Sequence, residues 1–206
     1  MAVTMQVPID MVSAAARRPG GLVPADSQIA LVNVLGSQAL IAYQLDEQER
    51  RRRALARAEA LLRPEVLDFL MSLPLDQPVP LASLTPAEQR MLARIPRGAV
   101  SRQDQGIVRH AVHPLRLDLA VVPARGWESA LERVGRFTPF CARAILVEGP
   151  LRRREDAILQ TDFYGIGLLA TRGDDVEVVV PPRPFVRKRF TVAAWQFLEE
   201  VSQQLN

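Results

Sequence analysis

An apolar run, Ala144-Ile145-Leu146-Val147, ends on Glu148-Gly149-Pro150. Two more follow: Gly165-Ile166-Gly167-Leu168-Leu169-Ala170, and Val176-Glu177-Val178-Val179-Val180, which stops at Pro181-Pro182. Short runs rich in Val, Ile and Leu and bounded by Gly or Pro read as strands. Between the first two lies a helix-like segment, Glu155 to Tyr164. Strand, helix, strand, strand is the grammar of an α/β domain. It constrains the fold of residues 126–206 more than any other feature, and it brings Glu148 and Arg152-Arg153-Arg154 near strand ends. It does not set a reaction.

The rest of the chain supplies more elements. Ile29–Leu35 and Gln38–Leu45 are apolar runs flanking Gly36-Ser37, which reads as a β-hairpin with glycine first in the turn. A helix from Ser27 is the competing reading. Asp46 with Glu49 makes a capping-box-like start to a helix carrying Leu55, Ala58, Leu61 and Leu62 at helical spacing. Arg50–Arg53 wraps around that helix and reads as a solvated face paired with Glu47, Glu49 and Glu59. Pro64 ends that helix or opens the next, whose stripe is Val66, Leu67, Leu70 and Met71. Pro74 to Pro80 is a linker. Thr85-Pro86-Ala87-Glu88 carries an N-cap, a first-turn proline and a capping-box acid, and starts a helix running to about Arg94. Val100 to Val122 is extended, with Ile107-Val108 and Leu115–Val122 strand-like. Trp127 to Val134 is a short amphipathic helix, and a last helix runs from Thr191 to about Gln204. The first 25 residues look irregular, with Arg17-Arg18-Pro19-Gly20-Gly21 as a turn cluster. The expected organisation is α+β: an N-terminal segment with a hairpin over 1–45, a helix-rich module over 46–125, and an α/β domain over 126–206.

Composition narrows the function classes. Hydrophobic residues make up 48% of the 206, enough for a core, and with 24% charged residues the chain as a whole is not disordered. Of the 26 basic residues, only Lys188 is lysine. A GC-rich genome accounts for such a bias. A surface for phosphates or carboxylates, which arginine grips bidentately, is the functional reading. The lone Cys141 builds no disulfide framework or thiolate metal site, so a reducing cytoplasm fits. No apolar stretch reaches the length of a membrane helix without polar interruption. No basic region precedes an apolar core at the N-terminus, so no signal peptide is expected.

Few residues suggest chemistry. His110 and His113 are spaced as His-x-x-His, but in an extended segment they point to opposite faces. Gly165-Ile166-Gly167 enters a strand rather than a helix, so it is not a phosphate loop. Arg152–Arg154, and Arg183 with Arg187, Lys188 and Arg189, are clusters that could neutralise phosphates. No cofactor and no resident metal are expected.

Helix, turn, helix and ribbon over Glu65–Val122 resembles a winged-helix module, with Asp46–Leu62 as its first helix. The resemblance implies DNA binding through the capped helix, with Arg90, Arg94, Arg97 and Arg102 as its basic residues. The α/β block resembles the restriction-endonuclease-like fold, a family that holds a metal with Asp on one strand and Glu-x-Lys on the next. The resemblance implies Asp118 and Glu148 as the carboxylates, but Pro150 stands where the lysine belongs, so binding without cleavage is expected. The leading expectation is a cytoplasmic bacterial protein that binds duplex DNA, a regulator or DNA-processing accessory factor, possible as a homodimer. Two alternatives stand beside it. One is a non-enzymatic adaptor using the apolar hairpin and the Trp195 helix. The other is a metal-dependent nuclease.

Overall fold

The computed structural model describes residues 9–18 and 21–205. The fold is α+β, with a six-stranded mixed sheet and a separate three-stranded sheet. The chain divides into two compact units. Pro19 and Gly20 of the expected turn cluster lie outside the described residues.

The first unit contains the residues through Gln44 together with Leu117–Arg187. Helix α1 spans Ile9–Ala16, where the sequence reads as irregular; Val12, Ala15 and Ala16 bury one of its faces. Strands β1 (Gln28–Val34) and β2 (Ser37–Leu45) form the expected antiparallel hairpin. Val34 pairs with Ser37, so the turn residues are Leu35 and Gly36, at φ 52 and 69. Glycine is therefore second in the turn. Positive φ at both central positions is the type I′ geometry that matches strand twist, and it strains Leu35.

The remaining strands of this sheet are β6 (Leu115–Ala124), β7 (Ala142–Val147), β8 (Gly167–Arg172) and β9 (Asp175–Val180). Helix α5 (Trp127–Gly135) links β6 to β7, and α6 (Arg154–Phe163) links β7 to β8. The strand order is β1-β2-β6-β7-β8-β9. β6, β7 and β8 run parallel, and β9 returns antiparallel. Nearly every residue of β7 is buried, the mark of a strand covered on both faces. Leu40, Leu119, Val121, Leu146 and Leu169 form the centre of one core cluster.

The second unit contains Leu45–Arg116 and Lys188–Gln204. Its helices are α2 (Glu47–Ala56), α3 (Pro64–Ser72), α4 (Pro86–Met91) and α7 (Val192–Gln203). Strands β3 (Pro78–Pro80), β4 (Val100–Gln103) and β5 (Gly106–Arg109) form an antiparallel sheet in the order β3-β5-β4. Short 3₁₀ turns precede and follow α4. Helix α2 stops at Ala56 rather than continuing to Leu62. Arg57 turns left-handed at φ 49 and its N–H closes back on the Arg53 and Ala54 carbonyls. Leu55 is left 89% exposed, whereas Leu61 is buried on the non-helical segment that follows. The physical cause is a better partner: the Leu61 N–H donates to Glu199 on α7, and the Leu61 side chain joins the core around Leu67, Leu70 and Trp195. Gly98 fits only as glycine, because it sits at φ 79 with the Ala56 side chain where a Cβ would be.

No helix among the described residues is long and apolar enough to cross a membrane.

Candidate functional site

The arginines of the second unit fall into two groups. In the first, charge is already neutralised. Glu49 accepts from Arg52 at 2.6 Å and from Arg53 at 2.7 Å. Arg53 also reaches Glu199 at 2.6 Å, and that carboxylate takes the Trp195 indole N–H at 2.9 Å. Glu49 and Glu199 are buried. Burial pulls the Arg53 pKa down, but the carboxylates of Glu199 and Glu49 outweigh it and hold it up. Arg109 donates to the Leu70 carbonyl at 2.8 Å and to the Ala111 carbonyl at 2.9 Å, and its guanidinium lies 4.9 Å from the Trp195 ring centre. These side chains hold the unit together. Arg50 pairs with Glu47 at 2.7 Å on the surface, so only part of Arg50–Arg53 is the solvated face expected.

The second group is exposed and makes no ion pair or side-chain hydrogen bond among the described residues: Arg51, Arg57, Arg63, Arg90, Arg94, Arg97 and Arg102. Arg57, Arg63, Arg94 and Arg97 converge on one groove of about 680 Å³. Its apolar lining comes from Leu61, Leu62, Val66, Ile95 and Pro96, and Glu59 is its one carboxylate. The early stop of α2 and the short turn after α4 create this hollow. Arg57 and Arg63 are missed by sequence reasoning, because the expected helix runs on to Leu62, with Arg57 inside it and Arg63 just past its end, and nothing local turns them toward Arg94 and Arg97. Arg90 lies on α4 and Arg102 on β4, and neither lines the groove.

The C-terminal clusters behave differently. Arg153 pairs with Glu128, and burial has no part in holding it there: the hydrogen bond to Glu128 raises its pKa and lowers that of Glu128. Arg154 pairs with Glu177 at 2.7 Å. Arg152 is exposed, without a carboxylate partner among the described residues. Arg187 donates to the Phe140 carbonyl at 3.0 Å and lies over the Phe185 ring. Lys188 is exposed and belongs to the second unit. Arg189 lines a hollow shared with Glu65, Asp68 and Glu88, carboxylates that repel a phosphate.

The structure does not bring Asp118 and Glu148 together. Asp118 precedes the Leu119–Ala142 pair and accepts from the Ser27 hydroxyl at 2.7 Å. Glu148 follows the Ala124–Val147 pair at the other end of the parallel strands. The stretch of β6 between them spans roughly 20 Å, too far for two carboxylates to share a metal. No group of His, Cys, Asp and Glu able to hold a metal occurs among the described residues. The adaptor surface expected on the hairpin and the Trp195 helix is also displaced. Leu40, Ile41 and Trp195 are buried core. Exposed apolar residues gather on and beside α6 instead: Leu159, Phe163 and Tyr164 at 72%, 75% and 53%.

His110 and His113 part company as expected of an extended segment. His113 approaches the Leu115 carbonyl and the Phe190 ring. His110 bridges Ser101 Oγ at Nε2 and Asp76 Oδ1 at Nδ1, each at 2.8 Å. That Ser–His–Asp order is the relay of a serine hydrolase. Here it links the turn before β3 to the β4–β5 hairpin, with Asp76 64% exposed. A hydrolase buries that aspartate to orient its histidine, so these bonds read as a lock on the small sheet.

Comparison with family models, with curated proteins and with solved structures found nothing that matches this chain.

Proposed function

We propose that this is a DNA-binding protein whose second unit grips the phosphate backbone, a regulator or DNA-processing accessory factor of the cytoplasm. The observation that carries the reading is the sorting of the arginines. Arg57, Arg63, Arg94 and Arg97 share one groove without carboxylate partners among the described residues, while Arg50, Arg52, Arg53, Arg153 and Arg154 are spent on ion pairs. Unpaired arginines side by side repel one another unless an anion lies between them. A phosphodiester backbone supplies such anions at regular spacing and releases counterions when bound. Helices α3 and α4 with the β4–β5 ribbon serve as a winged-helix-like module, Arg90 and Arg102 adding contacts outside the groove.

The test is a duplex titration at several salt concentrations. Wild type binds with micromolar or better affinity at about 50 mM salt, and affinity falls steeply as salt rises. Arg94→Ala with Arg97→Ala weakens binding to all sequences alike and lowers the salt slope by roughly one unit per lost contact. Absence of binding at low salt, or a folded double variant that binds like wild type, removes the reading.

The exposed α6 face favours a second reading, a protein-interaction subunit. It is compatible with DNA binding, since the residues involved are different.

A further inference from the structure

β6 and β7 run parallel and end side by side, with Ala124 opposite Val147. The turns beyond these ends surround a cleft of about 660 Å³ lined by Arg125, Trp127, Glu128, Glu148, Arg152 and Arg153. That volume suits a small molecule, and the carboxyl edge of a parallel sheet is where loops converge on ligands in open α/β folds. The wall is built. Trp127 is buried and its indole N–H donates to the Arg152 carbonyl at 3.2 Å, which fixes the arginine turn against the start of α5. The Glu148 N–H donates to the Ala124 carbonyl at 3.0 Å and fixes the other side.

The charges lining the cleft are incompletely matched. Arg153 is neutralised by Glu128. Arg125 and Arg152 are exposed and pair with no carboxylate among the described residues. Glu148 Oε1 is shut off from water with no donor. An unmade hydrogen bond at a sequestered carboxylate oxygen is costly, so a donor that enters beside it is favoured. We propose that this cleft binds a small phosphomonoester that carries hydroxyl groups, a sugar phosphate or mononucleotide. Arg125 and Arg152 meet the two negative charges of the phosphate, and Glu148 turns its carboxylate to accept from a hydroxyl. A bare anion satisfies the arginines but faces the charge of Glu148, whereas a hydroxylated ester satisfies all three groups.

None of these residues lies in the groove proposed for DNA, so the two readings fail separately. The test is isothermal titration with ribose 5-phosphate, ribose, inorganic phosphate and adenosine 5′-monophosphate. Ribose 5-phosphate or the nucleotide is expected to bind at about 1 mM or tighter, and ribose not at all. Arg125→Ala and Arg152→Ala each weaken binding about tenfold or more. Glu148→Ala weakens the sugar phosphate but tightens inorganic phosphate, which no longer faces a carboxylate, while Glu148→Gln, which keeps an acceptor, holds the sugar phosphate near wild type. An oligonucleotide with and without a 5′ phosphate separates sources: a gain from the terminal phosphate that the Arg125→Ala, Arg152→Ala double variant abolishes supports a strand end, and no such gain supports a free small molecule. Melting curves establish that each variant is folded, and Glu148→Gln carries the comparison if Glu148→Ala is not. No binding of either phosphomonoester, undiminished binding in the Arg125→Ala, Arg152→Ala double variant, or equal effects of Glu148→Ala on sugar phosphate and phosphate would overturn the proposal.

Discussion

Burial pushes the Cys141 thiol from its ordinary 9.0 up to about 12, against the weaker pull of Arg143 and Arg187. Well below pH 9 the thiol is mostly protonated in folded and unfolded chains alike. Above it the unfolded chain ionises first, so Cys141 costs stability progressively between pH 9 and 12. A thiol-specific disulfide reagent at pH 8 should leave the native protein unmodified over a period in which the urea-unfolded chain reacts fully. Rapid native labelling would contradict this burial. Glu199 is the other decisive residue. It accepts from Arg53, Leu61 and Trp195 while itself inaccessible to water. Glu199→Ala takes one of two carboxylates from Arg53 and leaves the Leu61 and Trp195 N–H donors unmade, at a cost on the order of 3 kcal/mol. Replacing Arg53 as well should recover only part of that loss, because the two N–H donors stay unmade and Glu49 keeps Arg52 alone. Urea midpoints of the single and double variants measure both effects.

Among the elements, α4 is the most locally determined. Thr85 Oγ1 accepts from the Glu88 N–H at 3.3 Å, and Glu88 accepts from the Thr85 N–H at 2.7 Å. A helix of six residues has little else to hold its first turn. Thr85→Ala should therefore cost about 1 kcal/mol, read as a lower melting midpoint. An unchanged midpoint would mean that the cap is dispensable. Hydrogen bonds from the Thr85 side chain and backbone hold the Glu88 carboxyl below its ordinary 4.5. The cap's stabilisation is present above that pH and is lost as pH falls through the lowered value. Helix α2 shows the opposite balance. Its Asp46 cap forms as the sequence implies, accepting from the Glu49 N–H at 2.8 Å. Its end is decided elsewhere in the unit, by what Glu199 offers to Leu61.

On the scale of the whole molecule, α6 carries an uncovered apolar face. Leu159 and Phe163 are one turn apart, and Tyr164 adjoins them. Under the protein-interaction reading proposed above, these apolar groups form an association surface between copies of the chain. Sedimentation velocity at micromolar protein should show a dimer, and Leu159→Glu with Phe163→Glu should return it to monomer with an unchanged melt. A wild-type monomer across that range would assign the face to a different protein or to none. The nuclease alternative is weakened at the same scale. Asp118 and Glu148 sit at opposite ends of the neighbouring strands β6 and β7, and they stay so whatever side-chain rotamers they take.

The sequence by itself determined the local features. The hairpin, the Asp46 and Thr85 caps and the strands of the α/β block rest on turn chemistry, capping and apolar runs, which act between near neighbours. It also implied the α+β class. Tertiary packing decided what had to be brought together over long separations. The 29–45 hairpin joins the sheet of residues 117–180, and α7 joins the unit of residues 45–116. No local signal marks either partner, because burial rewards complementary apolar faces whatever their separation in sequence. The same holds for the arginines. Their number is legible in the sequence, but whether each is neutralised depends on which carboxylate the fold places beside it. Arg57, Arg63, Arg94 and Arg97 became one candidate site only when α2 stopped early and its successor segment turned back to bury Leu61.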